Sequence, residues 1–95
     1  MYIIFVNYKV PFAEVEKHLE THRAFLREQY AKGNLLASGP RRPRTGGIII
    51  AKELAKEEIE AIIAQDPFKI NQVADYEVME FDPVLTCKEL DFLRK

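Results

Sequence analysis

The sequence predicts an α+β domain in which four strands form one antiparallel sheet and two helices cover one of its faces. Three observations predict this class. Four short stretches are rich in β-branched and aromatic residues, and two stretches between them have helical periodicity. The elements therefore follow the order strand, helix, strand, strand, helix, strand, which is the ferredoxin-like topology. The length of 95 residues fits one domain, expected over residues 1–95.

The first strand and the first helix occupy the N-terminal third of the chain. Residues 2–8 read Tyr-Ile-Ile-Phe-Val-Asn-Tyr, which predicts a central strand covered on both faces. Pro11 suits the first turn of a helix. Apolar side chains then recur at steps of three and four, which predicts one long amphipathic helix ending near Gly33. The predicted buried face comprises Phe12, Val15, Leu19, His22, Leu26 and Tyr30.

The middle of the chain predicts a hairpin. Residues 34–38 form the second strand, which we expect to end at Gly39-Pro40. Residues 41–47 are a turn-rich loop, and residues 48–51 form the third strand. The short connection favours antiparallel pairing of these two strands.

The second half completes the topology. Residues 54–65 predict the second helix, with Glu57 and Glu58 in its first turn. Asp66 ends this helix because the residue before a proline is displaced from helical geometry. Residues 68–73 then form a loop or single turn, and residues 74–81 form the last strand. A short helical tail begins at residue 86, with Thr86 as its candidate cap.

The predicted topology leaves one face of the sheet without helices. Residues 2–8 and 48–51 are nevertheless apolar on both sides. Soluble monomers rarely expose such a large apolar patch. We therefore expect two copies to pair sheet on sheet as a homodimer, or as part of a higher oligomer.

Composition narrows the classes of partner. With 14 basic and 15 acidic residues, a net charge of −1 gives no overall field that attracts nucleic acid or an anionic membrane. No run approaches the roughly 20 apolar residues of a membrane span, and the apolar start reads as a strand rather than a signal peptide. The one cysteine, Cys87, excludes an intramolecular disulfide and reads as a reduced side chain rather than a reactive thiol. A cytoplasmic location is expected.

His22 is the first candidate for chemistry. It lies on the predicted apolar helix face and should point inward or towards a cleft. Imidazole can take up or release a proton near neutral pH, so a general acid or base is one interpretation. A core histidine bonded to a backbone carbonyl is the other, and the residues alone favour it. His18 lies four residues earlier, but no third His or Cys is near, so no metal site is expected.

Asp66 is the second candidate. Pro67 stiffens the turn that follows it, and Phe68 supplies an apolar wall. A carboxylate in this place could orient a histidine and raise its basicity. The alternative is a turn aspartate that bonds its own backbone.

Two neighbouring segments are candidates for ligand contact. The first is a glycine turn formed by Ser38, Gly39 and Pro40. It either permits the close approach of a ligand or only ends a strand. The following loop places three guanidinium groups within four positions, at Arg41, Arg42 and Arg44. They could hold a carboxylate or phosphate, or could be a solvated loop. Nucleic acid is not expected here because no aromatic side chains are interleaved.

These segments together resemble the YciI-like (YCII-related) family of the dimeric α/β-barrel superfamily. The resemblance rests on Tyr2-Ile3-Ile4-Phe5, on His22 in the long helix, on residues 33–40 as "G-x-L-L-x-x-G-P", on Asp66-Pro67-Phe68 as "D-P-F" and on Tyr76-Glu77-Val78 as "Y-E-V". It extends from the first strand to about Phe81. The short, arginine-rich 41–47 loop departs from the family pattern, so substrate preference does not carry over.

The resemblance implies a ferredoxin-like monomer whose sheet pairs into a dimeric barrel. It also implies that His22 and Asp66 form the His–Asp pair of a pocket. If the pocket is an enzyme site, backbone at Ser38, Gly39 and Pro40, the ring of Phe68 and an arginine such as Arg41 are expected to contact the substrate. Most members of the family have no assigned activity. A few resemble dehydrochlorinases of small ring compounds, and related barrels include isomerases and cofactor-free monooxygenases.

Three hypotheses follow. The first is a cofactor-free enzyme, lyase-like or isomerase-like, that transfers a proton on a small cyclic or anionic substrate. The second is a non-catalytic dimer that binds a small ligand at the same cleft or regulates through it. The third is an assembly protein, which predicts no concave cavity beside His22.

Overall fold

The computed structural model describes residues 1–95 and confirms the predicted α+β class. One antiparallel sheet has the strand order β2-β3-β1-β4, which is the ferredoxin-like order. The elements in chain order are β1 (Tyr2–Tyr8), α1 (Phe12–Glu16), α2 (Leu19–Ala31), β2 (Leu35–Pro40), β3 (Gly46–Ala51), α3 (Lys56–Gln65), α4 (Pro67–Ile70), β4 (Ala74–Glu80) and a 3₁₀ helix (Lys88–Leu93).

The core lies between the sheet and the helices. Successive side chains of a strand point to opposite faces, and in β1 it is Tyr2, Ile4 and Val6 that are buried. Ile4 pairs with Ile49 of β3, which is also buried on this face. Helix α3 adds Ile59, so the core of this small domain is built around the middle of β1.

The opposite face of the sheet carries half-buried apolar side chains and no helix. Ile3 and Phe5 of β1 pair with Ile50 and Ile48 of β3 in the antiparallel register. Their partial exposure follows from the strand alternation, because the neighbouring positions fill the core. We call this surface, formed by these four side chains, the open sheet face.

A polar cluster ends the open sheet face. The Arg41 Nη1 group donates to Oδ1 of Asn7 at 2.7 Å, and Nδ2 of Asn7 donates to Oε1 of Glu77 at 3.0 Å. Nη2 of Arg41 also donates to Oγ1 of Thr45 at 3.1 Å. Arg41 therefore lies on the open sheet face and is tied to β1 and to its own loop.

The prediction of one long first helix was wrong. The chain contains two helices, separated where the N–H of His18 donates to the carbonyl of Val15 at 2.9 Å, a tighter i→i−3 turn. The buried face of α2 also differs from the prediction, because Phe25 and Gln29 are buried after His22. Tyr30, predicted to be buried, is 38% exposed.

The other helix and strand boundaries moved by a few residues. Strand β2 runs through Gly39 and Pro40 rather than ending before them, and β3 already begins at Gly46. The turn after Asp66 is a single-turn helix. The predicted cap of the tail was wrong, because the 3₁₀ helix begins after Cys87 and has no side-chain cap. None of the helices has the length and apolar character that crossing a membrane requires.

Candidate active site

A cavity of about 240 Å³ lies on the helix face of the sheet, between α2 and the adjoining ends of β1, β2 and β3. Its polar lining comprises His22, Arg23, Ser38 and Arg44, and its apolar lining includes Val6, Tyr8, Leu26, Ile49 and Phe68. The cavity is thus bounded by a helix, an edge strand and aromatic rings. Concave, mostly apolar sites with a few polar groups are the usual form of small-molecule sites.

A titratable side chain of the cavity lining, His22, contacts a second one buried behind it. Nδ1 of His22 lies 2.7 Å from Oδ1 of Asp66, although the residues are 44 positions apart in the chain. His22 is 9% exposed and Asp66 is 1% exposed. A carboxylate can only accept, so the proton of the neutral imidazole lies on Nδ1. Nε2 of His22 makes no hydrogen bond within the chain and remains available to a molecule in the cavity.

The local sequence explains why Asp66 faces α2. Asp66 is the N-cap of α4, and its Oδ1 accepts a hydrogen bond from the backbone N–H of Phe68 at 3.0 Å. Pro67 occupies the first helical position, where its missing N–H costs nothing. One carboxylate oxygen therefore caps a helix and holds the imidazole of His22 at the same time.

Aromatic contacts fix the plane of the imidazole. The rings of His22 and Phe68 are stacked, with centroids 3.8 Å apart and planes inclined by 5°. Tyr8 packs edge-on against Phe68, with centroids 6.0 Å apart and an angle of 85°. The His22 ring is thus held by a hydrogen bond at its edge and by a ring at its face, which limits rotation about both side-chain torsions.

The second oxygen of Asp66 is unpaired, and a buried tyrosine lies near this carboxylate. Oδ2 of Asp66 and the hydroxyl of Tyr76 are both buried, and neither has a hydrogen-bond partner within the chain. Burial and, after it, the charge of Asp66 raise the pKa of Tyr76 above its usual value of 10.0. Tyr76 therefore keeps its proton. The sequence analysis used Tyr76 only as part of a strand, and the spacing carried no signal of this contact.

The segment predicted as a glycine turn is the end of β2 in the structure, and it lies beside the cavity. Ser38, Gly39 and Pro40 all line it, and the hydroxyls of Ser38 and Tyr30 are 2.7 Å apart. A bulge in β2 between Leu35 and Ala37 shifts the alternation of the strand. Ser38 is thereby paired with Ile49 on the helix face.

Arg41 is not among the residues that line the cavity. The shifted alternation of β2 directs its side chain to the open sheet face, where Asn7 holds it. Arg44 and Arg23 reach the cavity instead. The guanidinium of Arg44 lies over the ring of Phe12, 4.7 Å from its centroid. Arg44 belonged to the predicted arginine cluster, whereas Arg23 had no signal except its position directly after His22.

Metal-ligating side chains do not cluster in this fold. The structure contains no group of three or more His, Cys, Asp or Glu side chains placed to hold an ion. His18 is the N-cap residue of α2 and does not line the cavity.

The family model of the YCII-related domain matches residues 1–82, most of the chain and all of the elements that build the cavity. The chain belongs to the YCII-related domain family. The match ends before the 3₁₀ helix of the tail, which begins at Lys88. Comparison with curated proteins gives no match.

A solved structure shares the fold of this YCII-related chain. It is 5-chloro-2-hydroxyhydroquinone dehydrochlorinase (TftG) from Burkholderia phenoliruptrix AC1100, in complex with 2,5-dihydroxybenzoquinone. The two chains superpose with a TM-score of 0.71 at 17% sequence identity, over 86% of this chain and 94% of the other. At this identity the likeness establishes the shared fold.

Proposed function

We propose that this protein is a cofactor-free acid–base enzyme that transfers a proton on a small cyclic, anionic compound. His22 is the group that takes and returns the proton, and Asp66 orients it. The observation that carries this proposal is the 2.7 Å contact of buried Asp66 with His22, whose ring lines the cavity. Buried His–carboxylate pairs with one free imidazole nitrogen are typical of general acid–base sites.

In this proposal the two nitrogens of His22 have separate roles. Nδ1 donates to Asp66, so the lone pair of Nε2 faces the cavity and can accept a proton from a bound compound. The imidazolium that forms then lies beside the carboxylate, which stabilises the positive charge. In an isomerisation the proton returns to another atom of the substrate. In an elimination the electron pair of the broken bond forms a double bond and expels an anionic leaving group.

The size and lining of the cavity support a single-ring substrate. A cavity of roughly 150 Å³ can hold benzene, so about 240 Å³ leaves room for one ring with substituents. Arg23 and Arg44 supply positive charge at the lining, where a carboxylate or acidic hydroxyl group can bind. The related dehydrochlorinase binds a ring compound of this size in its solved complex, which supports the same class.

We also propose that the protein is a homodimer in the cytoplasm. The open sheet face supports the dimer, because sheet pairing with a second copy would remove its apolar side chains from water. The single exposed cysteine, Cys87, fits a reducing compartment. Equilibrium sedimentation at micromolar concentration tests the dimer, and a stable monomer there would contradict it.

The test of the catalytic proposal measures proton exchange directly. The protein is incubated in deuterated water with a panel of single-ring carboxylates and acidic phenols, and incorporation of deuterium and loss of substituents are followed by NMR. We expect His22→Gln to lower the rate for the best compound by about 10²–10⁴, the usual contribution of a general acid or base. His18→Gln is the matched control, because this histidine lies outside the cavity lining.

Binding without chemistry is the outcome that would replace this proposal. If ring compounds bind to the wild type and His22→Gln weakens binding, but no compound exchanges protons or reacts, the site is a ligand-binding site. If Asp66→Asn leaves the exchange rate unchanged, the assigned role of Asp66 is wrong.

A further inference from the structure

Asp66 has one oxygen whose interactions the acid–base mechanism leaves unexplained. Oδ1 accepts from Nδ1 of His22 and from the backbone of Phe68, whereas Oδ2 is buried with no partner among those hydrogen bonds. An unpaired carboxylate oxygen in a dry site costs free energy and leaves the carboxylate free to rotate. Such rotation would exchange the two oxygens and remove Oδ1 from His22.

Tyr76 is the polar side chain placed to prevent this. It lies on the helix face of β4, paired with Val6, which itself lines the cavity. Its hydroxyl is buried and has no hydrogen-bond partner, and Asp66 is the carboxylate close enough to raise its pKa. The ammonium group near Tyr76 belongs to Lys69, whose Nζ lies over the ring, 6.0 Å from its centroid.

We propose that Tyr76 is a positioning residue of the His–Asp pair, whose hydroxyl donates to Oδ2 of Asp66 and so holds Oδ1 against Nδ1 of His22. The three side chains then form one chain of hydrogen bonds that runs from the last strand to the cavity. The tyrosine does not touch the substrate. It acts through the carboxylate by fixing which imidazole nitrogen carries the proton.

Electrostatics supports the direction of this bond. Burial, followed by the Asp66 charge, raises the pKa of Tyr76, so the hydroxyl is a donor at neutral pH. A carboxylate that accepts donors on both oxygens is held in one orientation and remains the acceptor for the imidazole. The catalytic meaning of Tyr76 rests on the proposed function, but the bond itself exists or fails without any substrate.

The experiment observes the imidazole of His22 by NMR in substrate-free protein. In the wild type we expect a single tautomer and a slowly exchanging proton on Nδ1. In Tyr76→Phe, which removes only the hydroxyl, we expect this proton to exchange at least about tenfold faster, the loss expected for a hydrogen bond to a charged group. The ring-nitrogen resonances should move towards a mixture of tautomers.

Two controls separate positioning from general loosening. Tyr2→Phe removes another tyrosine hydroxyl from the same face of the sheet, at a side chain that is 3% exposed and outside the cavity lining, and should leave the His22 signals unchanged. Adding Tyr76→Phe to Asp66→Asn should change the His22 signals no further, because the tyrosine acts through Asp66. Unchanged His22 signals in Tyr76→Phe, or an equal change in both backgrounds, would overturn the proposal.

A second measurement serves if Tyr76→Phe does not fold. The hydroxyl proton of Tyr76 should be protected from exchange in the wild type, and its resonance should shift in Asp66→Asn. The hydroxyl of Tyr2 should not respond to this change. A Tyr76 resonance that is the same in the wild type and in Asp66→Asn would equally overturn the proposal. Since neither measurement needs turnover, the bond can be established even if the enzyme proposal fails.

Discussion

Replacing Asp66 by alanine should remove a large part of the folding free energy. The change deletes the N-cap of α4, which is worth about 1 kcal/mol. It also leaves the Nδ1–H of buried His22 without an acceptor, at a cost of about 1–3 kcal/mol. Together the two losses amount to about 2–4 kcal/mol. Domains of this length have a total stability of about 5–14 kcal/mol.

Urea denaturation followed by circular dichroism measures this loss. The urea concentration at the unfolding midpoint should fall. The slope of the unfolding free energy against urea concentration should stay constant, because the surface exposed on unfolding does not change. Asp66→Asn should cost only about 1–2 kcal/mol, because an amide oxygen can still accept from Phe68. Asp75→Ala is the matched control: its ion pair with Lys9 is exposed and should contribute at most about 1 kcal/mol.

Two results would refute this reasoning. If Asp66→Ala is within about 1 kcal/mol of the wild type, the carboxylate does not support the turn and the imidazole as its hydrogen bonds indicate. If Asp66→Asn lowers the free energy of unfolding as much as Asp66→Ala does, then the negative charge of Asp66 stabilises the fold, and the hydrogen bonds accepted by Oδ1 do not.

Three further predictions concern other parts of the molecule. Phe5→Glu places a charge on the open sheet face and should convert the proposed dimer to a monomer in sedimentation; a dimer that persists would show that another surface pairs. Gly46→Ala should destabilise the fold by about 3 kcal/mol or more in the same denaturation assay, because the new Cβ would overlap the carbonyl of Val6. The Cβ of Gly39→Ala meets no atom within 4 Å, so this control should cost less than about 1 kcal/mol. The pKa of Tyr76 is raised above 10.0 in the folded protein, so above that pH the unfolded protein loses a proton that the folded protein keeps. The free energy of unfolding should therefore not depend on this group below about pH 10, and should fall above it by up to about 1.4 kcal/mol per pH unit. Tyr76→Phe should remove that part of the slope, and an unchanged slope would contradict the raised pKa.

The sequence analysis correctly predicted those elements whose position depends on the residues within or directly beside them. Residues 2–8 were identified as the central strand from their apolar, β-branched composition, and the structure places β1 there. The end of the second helix at Asp66 follows from the steric demand of Pro67, which acts on the adjacent residue alone. The resemblance to the family then paired His22 with Asp66, a contact across 44 residues that no local pattern encodes.

Features that depend on registry or packing escaped the sequence analysis. Nothing between Phe12 and Ala31 interrupts the helical pattern by composition, so the break near His18 left no mark in the sequence. The bulge in β2 inverts which side chains face the cavity, and a simple alternation therefore cannot decide between Arg41 and Arg44. The sequence analysis did not single out Tyr76, because its proposed role depends on the burial of its hydroxyl, which the spacing of residues along the strand does not reveal.

The short turn that begins at Asp66 has a consequence for how this site can be redesigned. The orienting acid and the aromatic ring that supports the imidazole lie only two positions apart, on one rigid helical turn next to the last strand. The edge strand at Ser38 and the arginine at position 44 come from a different hairpin. If the proposed function is right, Asp66 and part of the ligand-contacting lining lie on separate segments of the chain, so the hairpin can be exchanged to admit new compounds while the turn at Asp66 is kept.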